Sequence, residues 1–107
     1  MPASVVKADY EQLQQIAAQF EQEAEQIRQQ TSEIKAQIET LRGGDWEGIG
    51  ADLFYREMDD AVLPSFTRLS QAMTAANRTT LQILRQMQQA EDESAQLLLM
   101  RGGGGQA

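Results

Sequence analysis

The sequence predicts an all-α protein: an antiparallel two-helix hairpin that turns at Trp46-Glu47-Gly48 and dimerises into a four-helix bundle. Three observations carry that prediction. Two long stretches place apolar residues at alternating steps of four and three, the spacing of a helix seam. The only internal glycine cluster, Gly43, Gly44, Gly48 and Gly50, separates these stretches. The only tryptophan among 107 residues, Trp46, lies within that cluster.

The first stretch reads Val6, Tyr10, Leu13, Ala17, Phe20, Ala24, Ile27, Thr31, Ile34, Ile38, Leu41. That is about five heptads, with large residues at one core position and mostly smaller ones at the other. Ser4 suits an N-cap, and Gly43-Gly44 after Arg42 makes a C-terminal stop. Helix 1 is therefore expected over about 5–42. The turn is expected at 43–48, with Asp45 capping the next helix and Glu47 and Asp52 near the positive end of its dipole.

The second stretch begins with Ala51, Phe54, Met58 and Val62. It continues as Phe66, Leu69, Met73, Ala76, Thr80, Ile83, Met87, Ala90, Ser94, Leu97. Helix 2 is expected over about 46–100. Pro64 falls inside it, where a proline loses one hydrogen bond, clashes with the carbonyl of Asp60 and costs about 3 kcal/mol. Because the pattern continues past Pro64, a kink there is expected rather than an end; two helices broken near Leu63 are the alternative. Residues 1–101 then form one hairpin domain, and 102–107 a flexible glycine-rich tail.

A short turn makes the helices antiparallel. Pairing Arg42 with Ile49 sets Val6 opposite about Arg85 and leaves an overhang of roughly 15 residues, ~22 Å. On that reading Met87, Ala90, Ser94 and Leu97 have no partner within the hairpin. Ile16, Leu53, Val62, Leu84 and Leu98 flank the seam, and two hairpins can bury them together. Residues 45–60 hold six acids and one base, whereas 61–90 hold three arginines and no acid. An antiparallel dimer could bring these stretches together, although exposed pairs contribute little each.

Composition excludes several function classes. A net charge of −7 argues against nucleic acid and against an anionic membrane surface. Without Cys or His there are no disulfides, thiolate metal sites or imidazole bases. No segment approaches the roughly 20 apolar residues of a membrane span, and the first twelve residues carry Lys7, Asp9 and Glu11 instead of the apolar core of a signal peptide.

The acid groups Glu21/Glu23/Glu25, Asp59-Asp60 and Glu91-Asp92-Glu93 read as solvated faces. Paired catalytic carboxylates need a concave, water-poor site, and a calcium loop needs an interleaved turn glycine. No catalytic residue, metal or cofactor is expected. Met58, Met73, Met87 and Met100 read as adaptable core, with Met87 and Met100 the better candidates for partner contacts. Trp46 is expected to cover the end of the hairpin beside Leu41 and Ile49, with room for a second role in recognition. Gly48 permits tight packing or an unusual backbone angle.

Two capped heptad runs joined at Trp-Xaa-Gly in a chain near one hundred residues resemble the WXG family, the ESAT-like small secreted proteins of bacterial type VII secretion. The resemblance covers residues 4–100. Trp46 and Gly48 match the motif, Phe54 matches the aromatic usual eight residues later, and Pro64 is familiar at this point of helix 2. The resemblance implies a hairpin that homodimerises or pairs with a sister protein. It also implies export by an ATPase-driven machine without a cleaved signal peptide, the protein being cytoplasmic before export and extracellular after it. Many members carry Tyr-x-x-x-Asp/Glu behind helix 2. This sequence departs from that pattern: residues 86–107 contain no tyrosine, and Tyr55-Arg56-Glu57-Met58-Asp59 fits the letters at the wrong place.

These readings converge on a non-enzymatic export substrate or co-export chaperone. The hairpin and dimer interface is expected at Leu13, Phe20, Ile27, Ile34, Leu41, Phe54, Phe66, Leu69, Met73 and Ile83. A partner-recognition arm offered to the secretion ATPase is expected at Met87, Leu97, Leu98 and Met100. The competing class is an intracellular coiled-coil adaptor that is not exported, which the missing tail tyrosine favours. Membrane lysis is disfavoured by the acidic charge and by apolar residues committed to seams.

Overall fold

The computed structural model describes the backbone of residues 3–105 and the side chains of Lys7 and of 9–101. Helix α1 is Ala3–Arg42, α2 is Ile49–Glu57, a π-helical turn occupies Met58–Val62, and α3 is Leu63–Gly105. No strand occurs among the described residues. α1 folds back along α3 as an antiparallel hairpin. The result is a rod of 87 × 20 × 17 Å with a radius of gyration of 24.4 Å. A compact domain of this length would have a radius near 13 Å.

The helices form where the heptads predict, and their ends show what the backbone demands. α1 is already helical at Ala3, so Ser4 lies inside the helix rather than at its cap. The seam position Val6 lies outside the described side chains. α1 stops at Arg42, and its last carbonyls are satisfied by Gly43 N–H to Glu39 (3.0 Å) and Gly44 N–H to Leu41 (3.1 Å). α3 runs on past Gly102 to Gly105, because extending a helix costs no new nucleus. Four successive glycines, each about 1 kcal/mol worse than alanine, still make this its weakest stretch. Gln106 and Ala107, the end of the expected tail, lie outside the described residues.

Asp45 does not cap the second arm. The N-cap is Gly48, at φ 117 and ψ −176, with no side-chain capping bond. The first helical bond runs from Asp52 N–H to the Gly48 carbonyl, 2.9 Å. Such a dihedral pair is essentially confined to glycine. A Cβ at Gly48 would meet nothing within 4 Å, so conformation rather than space requires the glycine.

Pro64 is accommodated by the π turn just before it. The Leu63 N–H reaches back five residues to Met58, in place of the usual four. The wider turn relieves the contact of the proline ring with the carbonyl at Asp60, and the helix continues. The predicted interruption is thus a change of helical register, and α3 is unbroken beyond it.

The register differs from the predicted one. Arg42 bonds Asp59 (2.9 Å) rather than lying opposite Ile49, Arg28 donates to Thr74 (3.2 Å), and Asn77 donates to the Ala17 carbonyl (2.7 Å). The cause is the connection. Beyond the turn at 43–45 the chain continues to Gly48 before α2 begins, so α2 lies past the end of α1. The single overhang predicted at 86–100 is thereby split between the two ends of the rod.

The seam is lined by small and polar residues. Ala17, Ala24 and Ile38 of α1 are buried, with Thr31 half-buried in the same seven-residue series. Across from them Ser70 and Leu84 are buried and Asn77 is half-buried. This row stands one residue from the predicted row Leu69, Ala76, Ile83. Leu84, expected on the flank, is only 4% exposed, while Leu69 and Ile83 are each 44% exposed. Ser70 and Asn77 occupy the seam because each finds a backbone acceptor: Thr67 for Ser70 (2.8 Å) and Ala17 for Asn77. A satisfied polar group can be buried at little cost, and the small alanines let the two backbones come close enough for the Asn77 bond.

Candidate partner-binding surfaces

At the closed tip, Trp46 lies against Phe54 and Tyr55, with ring centroids 5.4 and 5.6 Å away. Phe54 and Tyr55 are themselves 5.8 Å apart, and the Arg42 guanidinium stands 4.9 Å over the Tyr55 ring. Trp46 thus has two aromatic neighbours that the sequence pattern did not name. Leu41 is exposed, and Ile49 is 82% exposed. Edge-on aromatic pairs add about 0.5–1.5 kcal/mol beyond burial, and the cation over Tyr55 about as much. Together they fasten α2 to the end of α1 through the connecting segment. Tyr55 and Asp59, the ends of the misplaced five-letter match, are both engaged here.

Along the rod the two faces differ. In the α1 heptads Leu13, Phe20, Ile27, Ile34 and Leu41 follow one flank of the seam, while Gln14, Glu21, Arg28, Lys35 and Arg42 follow the other. In α3, Phe66, Met73 and Met87 lie on the flank that meets the apolar side of α1, with Leu69 and Ile83 farther out. Met87 packs beside Leu13 and Ile16, which fixes this pairing of flanks. Leu13, Phe20, Ile27, Ile34, Phe54, Phe66 and Met73 are half-buried, and Leu41, Leu69 and Ile83 are exposed. The expected interface residues other than Phe54, which belongs to the tip, thus line one side of a single hairpin, which covers them only partly.

The predicted recognition arm divides. Met87 belongs to the hairpin, beside Asp9, Gln12, Leu13 and Ile16. The register shift brought it alongside α1, where it stays 36% exposed. Leu97, Leu98, Leu99 and Met100 remain largely exposed, Leu99 at 76%. Four consecutive apolar residues at 100° per residue surround the helix instead of marking one stripe.

Near that end the Tyr10 hydroxyl is buried without a hydrogen-bond partner. Desolvation comes first in raising its pKa above the ordinary 10.0, followed by the pull of the Glu91 carboxylate on the phenol hydrogen, too loose to count as a formed bond, and by the charges of Glu91 and Asp92. Tyr55 also buries an unpartnered hydroxyl. On the polar side Arg28 pairs with Glu25 (2.8 Å) and Glu21 (3.2 Å). The hydrogen bond to Glu25 is the main reason its guanidinium is held more firmly protonated than usual.

The acid groups take surface roles. Glu21 and Glu25 pair with Arg28, Asp59 pairs with Arg42, and Glu93 accepts from Gln89 at 3.3 Å. No cluster of three or more metal-binding side chains occurs among the described residues. None of their helices is long and apolar enough to cross a membrane.

Sequence reasoning missed Ser70, Asn77 and Leu84 in the seam and Tyr55 at the tip. The first three were detectable in principle. They share a seven-residue spacing with Leu63, but two are polar and so broke an apolar pattern.

The chain matches no curated protein and no solved structure. The family of proteins of 100 residues with WXG matches residues 5–92, a span that contains nearly all of α1, the Trp46-Glu47-Gly48 turn, α2, the π turn, Pro64 and α3 as far as Asp92. The chain belongs to this family, WXG100.

Proposed function

We propose that this protein is a non-enzymatic export substrate and co-export partner of a type VII secretion system. It pairs through its apolar side with a second copy or a sister hairpin, forming a four-helix bundle. WXG100 membership suggests a small ESAT-like secreted protein of type VII secretion, and proteins of the family generally form dimers with partner hairpins. The observation that carries the pairing is the half-covered row from Leu13 to Leu41, facing Phe66, Leu69, Met73 and Ile83. No large side chain among the described residues is fully buried in the lone hairpin. A chain this small gains most of its missing core by association.

Leu97, Leu98 and Met100 form the element offered to the secretion ATPase, and Trp46 adds a recognition role to its structural one. The protein leaves the cytoplasm without a cleaved signal peptide. Light scattering on the purified chain tests the pairing: twice 11.9 kDa is expected for self-pairing. An unfolded monomer would instead indicate an obligate sister protein. Comparison of culture supernatants with and without the secretion ATPase tests export. Equal amounts in both would remove the export reading and leave an intracellular adaptor.

A further inference from the structure

The polar side of the hairpin carries a trough that the proposed pairing leaves facing outward. It measures about 670 Å³ and runs between α1 and α3, with Arg28, Ser32 and Lys35 on one wall and Gln71 and Arg78 on the other. The small side chains of Ser70 and Thr74 form part of its lining. Lys35 and Arg78 form no ion pair among the described residues. Ser32 and Gln71 likewise make no side-chain hydrogen bond there. Two uncommitted cations and two uncommitted donors therefore converge on one strip.

That strip is exceptional in a chain of net charge −7. Residues 61–90 contain three arginines and no acid. Of these three only Arg78 lines the trough, where it joins Lys35 as a second cation that no described carboxylate neutralises, and an anionic partner is drawn to that pair. Its walls are open to solvent, and a small anion would keep most of its water there. From Arg28 to Lys35 the strip extends ~10 Å along α1, which suits several carboxylates in succession rather than one.

We propose that this trough is a docking site for an acidic, extended stretch of a partner polypeptide, whose carboxylates engage Lys35 and Arg78, Arg28 being already committed to Glu21, Glu25 and Thr74. The site exists within one hairpin and depends on neither dimerisation nor export. The test is a titration of the isotopically labelled full chain with an eight-residue glutamate peptide, followed by amide NMR shifts. Octaglutamine and inorganic phosphate serve as separate probes. Saturable shifts centred on residues 31–35 and 71–78 with the glutamate peptide alone are the expected result. Lys35→Glu with Arg78→Glu should weaken binding by about tenfold or more at unchanged helicity, each reversal replacing a small attraction with a small repulsion. The neutral pair Lys35→Gln with Arg78→Gln should weaken it less and serves if the reversed pair is poorly folded. Shifts centred elsewhere, undiminished binding by the variants, or the same shifts with octaglutamine or phosphate would overturn the proposal.

Discussion

Both ends of the second arm run past α1, and the protein finishes them differently. At the tip, α2 is fastened by its own connection: Trp46 folds onto Phe54 and Tyr55, and Arg42 reaches both Tyr55 and Asp59. At the opposite end Leu97, Leu98, Leu99 and Met100 stay more than half exposed. An overhang that its own connection fastens adds to the stability of the hairpin. One left bare adds little to it and is available to something else. The difference makes separable predictions for the two ends.

The largest effect is expected at the fastened end. Trp46→Ala removes the ring that joins the connection to α2 and should cost about 3 kcal/mol, the low end for aromatic truncation because the ring is 41% exposed. Thermal unfolding followed by circular dichroism would check it. A change under about 0.5 kcal/mol, the level of an ordinary surface substitution, would mean that the tip is not fastened by Trp46. Next comes the backbone that sets where α2 starts. Gly48→Ala should cost about 2 kcal/mol, all of it conformational, because the space around the glycine is empty. Gly50→Ala, inside α2 and equally free of neighbours, should stabilise by up to about 1 kcal/mol. Opposite signs two residues apart distinguish a required dihedral from a mere lack of bulk.

Much of this was legible in the sequence, and the exceptions have physical causes. The heptads located both arms, the glycines located the reversal, and the small residues Ala17 and Ala24 fell on the buried row. Register was not legible, because it depends on where the second arm starts. Asp45 has the side chain of a helix cap, but the backbone at Gly48 fixes the start three residues later. The resulting displacement brought Met87 alongside α1 and moved α2 beyond it. The seam of α3 was misread for a different reason. Hydrophobic pattern assigns Ser70 and Asn77 to water, while their backbone acceptors become visible only once α1 is in place.

Between the two ends, Asn77 holds the middle. Its amide donates to the Ala17 carbonyl across the seam, and Asn77→Ala should cost about 1 kcal/mol for the lost bond. Polar residues at seam positions specify register as well as stability. Asn77→Leu should therefore leave stability nearly unchanged while broadening the amide spectrum through competing registers. Tyr10 offers a pH test near the bare end. Its folded pKa lies above 10.0, so the neutral phenol is the form the fold favours. That contribution is fully present below the unfolded value and is lost as pH rises through the folded one. Tyr10→Phe should flatten the fall in melting temperature above pH 10 and, by removing an unpartnered hydroxyl, should not lower stability at pH 7.

The smallest stability effect per residue is expected where the functional effect should be largest. Replacing Leu97, Leu98, Leu99 and Met100 together with serine should change the unfolding free energy of the hairpin by no more than about 0.5 kcal/mol per position, because exposed side chains lose little on truncation. A larger loss would mean that α1 or a second copy covers these residues, and the contrast between the two ends would fail. With stability intact, the same variant should no longer accumulate in the culture supernatant of a strain that carries the secretion ATPase. Trp46→Phe supplies the counterpart at the fastened end. It keeps a ring against Phe54 and Tyr55, so a secretion defect in that stably folded variant would show that the tip, too, is read by a partner.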